Sequence, residues 1–290
     1  MADDPPAPDR WQQDLAELRG ELDQIDDSLH DLLIRRAEIV QQVGMVKPDR
    51  GLAFRPGRQA AILRRLLARH HGALPPQAIV GIWGELLSAT TAMQTSFTVA
   101  VCESDPACGF SQITREQFGA LVPMHIHRDP AQALADVRSG RTVVAVLPFP
   151  SDTGALIQHW WTALLPQDEP LVHVVARIPF WSLRPEGVPA VQALVVSAIA
   201  PDPSGDDRTL LGLECDPGTS PSRILALLAA TGLGSGSLLM RCDSGDPVAR
   251  ALVEIPGFLA EDDSRLADIG ARVLSHAVLG AYAVPVGGGA

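Results

Sequence analysis

The chain has 290 residues, 46% of them hydrophobic and 20% charged, which is room for two or three domains that each bury a core. A formal net charge of −11 argues against a nucleic-acid or anionic-membrane partner, and apolar runs such as 194–200 fall far short of the ~20 residues that span a bilayer. Four cysteines, Cys102, Cys108, Cys215 and Cys242, form no CxxC pair and have no His at zinc-ligand spacing, so they read as reduced structural thiols.

Residues 1–10, MADDPPAPDR, are acidic and Pro-rich without the basic-then-apolar pattern of a signal peptide. They read as the disordered leader of a cytoplasmic protein. Residues 11–47 contain no Pro, and their apolar residues keep a 3-4 rhythm: Leu15, Leu18, Leu22, Ile25, Leu29, Leu32, then position 36, then Ile39, Val43 and Val46. That spacing predicts one helix of ~55 Å, ended by Pro48. A lone helix of that length has nothing to bury its stripe against, so it must pack along other long helices, and a second protomer is the expected partner. A second helix is expected from about Gly57 to His70, and after the break HGALPP a third from about Pro76 to Ser96.

The seam carries a charge. Position 36 is Arg36, and a guanidinium among core positions is costly without an acidic partner. Lys47 is the sole lysine beside 22 arginines. It lies eleven residues beyond Arg36, about 20° away around the helix and ~16 Å along it, so both cations face one way. Arg19 sits roughly a quarter turn off that face and suits a different pocket, such as a partner's. Residues 11–97 balance their charges while 98–290 hold the acidic excess, which marks these basic residues as candidates for one anionic site.

From Phe97 the pattern turns β-rich. FTVAVCES and RTVVAVLPF read as strands with a helical DPAQALADVRSG between them, a βαβ element, and VQALVVSAIA as a further strand. PDPSGDD (201–207) reads as a linker. Beyond it, RTLLGLEC, SPSRILALLAATGL, GSLLMRCDSG, VARALVEIPG, SRLADIGARVLSHA and LGAYAVPV follow as β-α-β-β-α-β, the ferredoxin-like order. GLGSGS (232–237) follows a helix rather than a strand, which argues against a phosphate loop. His125 and His127 alternate along an expected strand, but no third ligand accompanies them in sequence, so no metal is expected.

With these features in place, residues 11–97 resemble the all-helical chorismate mutases. LAELRGELDQIDDSLHDLLIRRAEIVQQVGMVK follows that family's first helix with two Arg and one Lys in register, RPGRQAAIL the start of its second, and ELLSATTAMQ its third, ending on Gln. The resemblance implies an intertwined homodimer of three-helix protomers that rearranges chorismate to prephenate without cofactor or metal. It makes Arg19 the residue donated to the partner's site, with Arg36, Lys47, Arg58, Gln59, Thr90 and Gln94 from the main protomer. Those residue types suit a pericyclic reaction. Arg19 and Arg36 offer planar forks to two carboxylates, while the compact ammonium of Lys47 and the amide of Gln94 suit the single ether oxygen on which charge grows. Three positions depart from the family. Gln59 stands where a Glu usually contacts the C4 hydroxyl, Thr90 where Ser is frequent, and Arg55 where some members have Asp. Gln59 is also compatible with a 4-amino-4-deoxychorismate mutase. An isochorismate pyruvate-lyase on the same scaffold is a further alternative; a non-catalytic regulatory binder of chorismate or aromatic amino acids is the alternative from a different class, and the arranged basic residues speak against it.

Residues 98–285 resemble, in worn form, the prephenate dehydratase and ACT modules that follow such a mutase. VAVCESDPACGFSQ retains Gly109, Phe110 and Ser111 of the dehydratase's Gly-rich turn, but Pro150 and Ser151 replace its Glu-Asn pair, and Val191, Gln192 and Ala193 replace its Thr-Arg-Phe. The ACT family's effector motifs survive only as GTSP and CDSGDP. The expected architecture is therefore α+β and multidomain: an all-helical mutase domain (11–97), a truncated dehydratase-like region (98–205) without dehydratase activity, and an ACT-like domain (207–286) that serves dimerisation or docking.

Overall fold

The computed structural model describes residues 10–46, 54–152, 156–166, 169–234, 236–242, 245–270 and 272–287. The chain separates into two compact units, Met1–Gly51 and Leu52–Ala290.

The first unit holds one helix, α1 (Arg10–Val46). It is continuous because no Pro or Gly pair interrupts it and its apolar stripe recurs every three or four residues. Taken by itself it has no buried residue: Leu22 is 59% exposed, Leu32 61% and Val46 81%. Lys47, Pro48 and the leader up to Asp9 lie outside the described residues.

In the second unit, α2 (Pro56–Arg69) and α3 (Pro76–Ala92) each start with Pro in the first turn, where its missing N–H would have had no helical partner. Then follow β1 (Val99–Cys102), α4 (Phe110–Phe118), β2 (Met124–His127), α5 (Pro130–Arg138), β3 (Val144–Pro148), β4 (His173–Ile178), β5 (Ala193–Ser197), β6 (Asp207–Cys215), α6 (Pro221–Ala230), β7 (Leu238–Arg241), β8 (Ala249–Pro256), α7 (Ser264–Gly270) and β9 (Ser275–Ala283). The strands form one nine-stranded sheet in the order β2-β1-β3-β5-β4-β9-β6-β8-β7. As the βαβ pattern implies, β1 and β3 are parallel neighbours. The C-terminal stretch keeps the expected β-α-β-β-α-β order, and its strands β9-β6-β8-β7 are antiparallel throughout.

The two halves of the sheet meet at Val174 of β4 and Gly280 of β9. Gly280 has φ +131°, and a Cβ there would lie 2.1 Å from the Val174 carbonyl oxygen. Only glycine permits so close an approach.

Three expectations change. The helix anticipated over 264–277 stops at Gly270, and Ser275, His276 and Ala277 belong to β9, paired with Glu214, Leu213 and Gly212. Long-range pairing with β6 outweighs the local helical pattern, and the His276 ring occupies the space a side chain at Gly270 would need. The helix α4, the strand β4 and a 3-10 segment over Leu156–Leu164 are additions to the expected elements. The compact units also divide at 51/52 rather than at 97/98, with α2 packed against β4 and β9 and α3 against α2 and α4. Phe54, Phe97 and Phe118 cluster with ring centroids 5.4–5.8 Å apart, and Ala60 and Leu63 share a core with Phe180. Segment 201–207 is a tie rather than a free linker. Arg64 donates to the carbonyls of Ser204, Asp206 and Val284 at 3.3, 2.8 and 2.7 Å.

Candidate functional site

The residues singled out by sequence fall into both units. On α1, Arg19 is exposed and Arg36 half-buried, and burial lowers the pKa of the Arg36 guanidinium below its ordinary value. Lys47 lies outside the described residues.

The second unit brings four of them to one end of a helical hairpin. Arg58 and Gln59 occupy the first turn of α2, Thr90 the last turn of α3, and Gln94 the turn just beyond it. The Phe54–Phe97 contact, from residues flanking these two helix ends, holds the ends together. Arg58 and Gln94 are exposed. Thr90 is 7% exposed, and its hydroxyl donates to the Leu86 and Leu87 carbonyls at 2.9 and 3.1 Å. Gln59 lines a small crevice under α2 beside Gln117, Val175 and Arg177.

The first turn of α2 is set from far along the chain. Asp202 accepts from the amides of Gly57 (2.9 Å) and Arg58 (3.1 Å) and from Arg55 Nε (3.2 Å). A carboxylate thus satisfies two of the helix's unpaired N–H groups and meets the positive end of its dipole. Gly57 is required for this, since a Cβ would lie 2.1 Å from the Asp202 carbonyl oxygen. Sequence reading missed Asp202 because no local spacing links it to α2. Asp202→Ala is expected to destabilise the chain by about 1–2 kcal/mol in urea titration and to raise KM for any ligand held by Arg58.

Residues 18–95 match the family model described as chorismate mutase type II. The N-terminal segment is thus similar to chorismate mutase type II domains. It begins within α1 and ends one residue past Gln94, so it draws on both compact units. The bifunctional chorismate mutase/prephenate dehydratase of Aquifex aeolicus (strain VF5) is 30% identical over 131 residues, 43% of this chain and 34% of that protein. The protein of that description from Stutzerimonas stutzeri is 25% identical over 161 residues, covering 53% and 44%. The chain thus spans between a third and a half of these relatives' length. Prephenate dehydratase from Streptococcus mutans aligns in structure with a TM-score of 0.49 at 13% identity, over 66% of this chain and 99% of that one.

Beyond the mutase segment, Glu103 follows β1, is 7% exposed, and accepts hydrogen bonds from the Ser111 amide (3.1 Å) and the Ser111 hydroxyl. Gln192 accepts from Arg177 Nη2 at 2.7 Å, and the Arg177 guanidinium lies 4.5 Å from the Phe149 ring centre. The GTSP turn borders a cavity of about 530 Å³ that is also lined by Cys215, Asp216, Arg223 and Arg272.

The cysteines behave as sequence suggests: all four are free thiols. Burial, with Asp129 and Glu103 adding to it, pushes Cys102 up to about 12, and burial also raises Cys215. Because the thiolate is the reactive form, a disulfide-exchange reagent at neutral pH is expected to modify exposed Cys242 at once. Cys102 and Cys215 should react only after denaturation, with mass spectrometry locating the adducts.

Proposed function

We propose that this protein converts chorismate to prephenate as a homodimer, without cofactor or metal, and does not dehydrate the product. The observation that carries the reading is the mutase match over 18–95, together with the placement of Arg58, Gln59, Thr90 and Gln94 at one end of the α2–α3 hairpin.

In this mechanism no proton moves and no covalent intermediate forms. Arg36, and Arg19 supplied by the second protomer, hold the two carboxylates in a compact conformer. Lys47 and the Gln94 side chain donate to the ether oxygen as its bond breaks, and this stabilisation is greatest in the transition state. Arg58 adds positive charge, and Gln59 and Thr90 supply neutral hydrogen bonds to the ring substituents. The wholly unburied stripe of α1 supports a dimer, since a second copy would cover it. Pro150, Ser151 and Gln192, standing where the dehydratases carry reactive groups, support a product that stops at prephenate.

Incubating the full chain with chorismate, with products identified by mass spectrometry, tests both parts. Prephenate is expected to accumulate while phenylpyruvate stays at the acid-catalysed background. Chorismate decay no faster than in buffer would reject the mutase. Phenylpyruvate above background would reject the loss of dehydration. Light scattering reads the dimer separately.

A further inference from the structure

The edge of the sheet gathers a set of side chains that the proposed reaction does not use. Strand β2 pairs in parallel register with β1, so that His125 stands beside Ala100 and His127 beside Cys102. Ala100 and Cys102 face α5, packing with its Ala133, Leu134 and Val137. Strand alternation therefore puts both imidazoles on the face that α5 covers and leaves Ile126 on the other. From α5, Asp136 reaches between them. Its carboxylate is 4% exposed, and Oδ2 lies 3.1 Å from His125 Nδ1 and 2.9 Å from His127 Nε2. Arg141 Nη1 holds the other oxygen, Oδ1, at 2.7 Å.

We propose that His125, His127 and Asp136 bind a divalent borderline cation of the zinc(II) class. The donor set, two imidazoles and one carboxylate, suits such ions better than magnesium or calcium, which favour oxygen-rich shells. The spacing fits as well. With metal–ligand bonds of about 2.0–2.2 Å, the donor atoms of a tetrahedral site sit roughly 3.3 Å apart, and the three atoms here lie within 4.8 Å of one another. Arg141 fixes the carboxylate so that Oδ2 points at the imidazoles, the orienting role that outer-shell partners play around metal ligands. An entry path exists because the His125 side chain is 41% exposed at the sheet edge, which leaves room for water to complete the shell. Bound there, the cation would pin the edge strand to α5.

The test uses the full, untagged chain after chelator treatment. Zinc(II) titrated by calorimetry is expected to bind at one equivalent per chain. Cobalt(II) is expected to give the visible absorption of a low-coordinate nitrogen–oxygen site. His125→Gln, at the exposed rim, is expected to weaken zinc binding at least ~10-fold, and His125→Gln/His127→Gln to abolish both the cobalt spectrum and the zinc-dependent rise in Tm. Far-UV circular dichroism checks that the variants are folded, and the rim variant alone decides should the double variant fail to fold. No saturable zinc binding, or equal binding by wild type and the folded His125→Gln variant, would overturn the proposal and leave Asp136 as a carboxylate held by three hydrogen-bond donors.

Discussion

Lys47→Arg is expected to lower kcat for chorismate at least ~100-fold while leaving Tm and the dimer close to wild type. The substitution keeps the charge, so a role at the helix end or on the surface would tolerate it within ~0.5 kcal/mol of stability. A role at the ether oxygen would not. The planar guanidinium is larger than the ammonium, and it must either displace the substrate or aim its donors off the oxygen. Because the contact is made in the transition state, kcat should fall more than KM rises, and Lys47→Ala should be at least as poor. Steady-state kinetics beside thermal melts separate the cases. Near-wild-type turnover in Lys47→Arg would remove the ammonium from the reaction.

Gly280→Ala is expected to destabilise the second unit by at least ~3 kcal/mol, a fall in Tm of about 6–12 °C for a unit of this size. Two effects combine. At φ +131° any side chain is strained, and the new Cβ would meet Val174 O at 2.1 Å and Val174 N at 2.5 Å. Backbone cannot give way as a flexible side chain can, so β4 and β9 must separate and the nine-stranded sheet splits at its seam. Gly140→Ala is the control. Gly140 also has positive φ, at +70°, but nothing lies within 4 Å of its Cβ position, so only conformational strain of about 1–2 kcal/mol should appear. Equal losses in the two variants would show that close packing at the seam contributes nothing. Limited proteolysis should find new cleavage near β9 only in Gly280→Ala.

Much of the candidate site was legible because its signals are local. The Arg36–Lys47 relation needs only the helical repeat, and the other residues proposed for the site sit in short motifs. The ferredoxin-like C-terminal order was legible too, since most of its strands and helices, the start of β9 apart, are bounded by Gly, Pro or Asp. Where local pattern misled, a distant partner decided. Ser275–Ala277 carry no local mark of strand, and they become strand because β6 offers them a hydrogen-bonding edge.

The sequence by itself determined the long α1 seam, the cations displayed along it, the helical hairpin that follows, and the alternation that puts His125 and His127 on one face of β2. All of these depend on periodicity, which a chain carries at the scale of a few residues. Only the tertiary structure decided that α2 and α3 belong with the sheet, that Asp202 caps the helix carrying Arg58 from 144 residues away, and that Asp136 comes between the two histidines. The physical reason is common to all three. Each depends on a buried polar or apolar group finding its partner across a fold, and such pairings are set by which surfaces the whole chain can bury together rather than by any spacing along it.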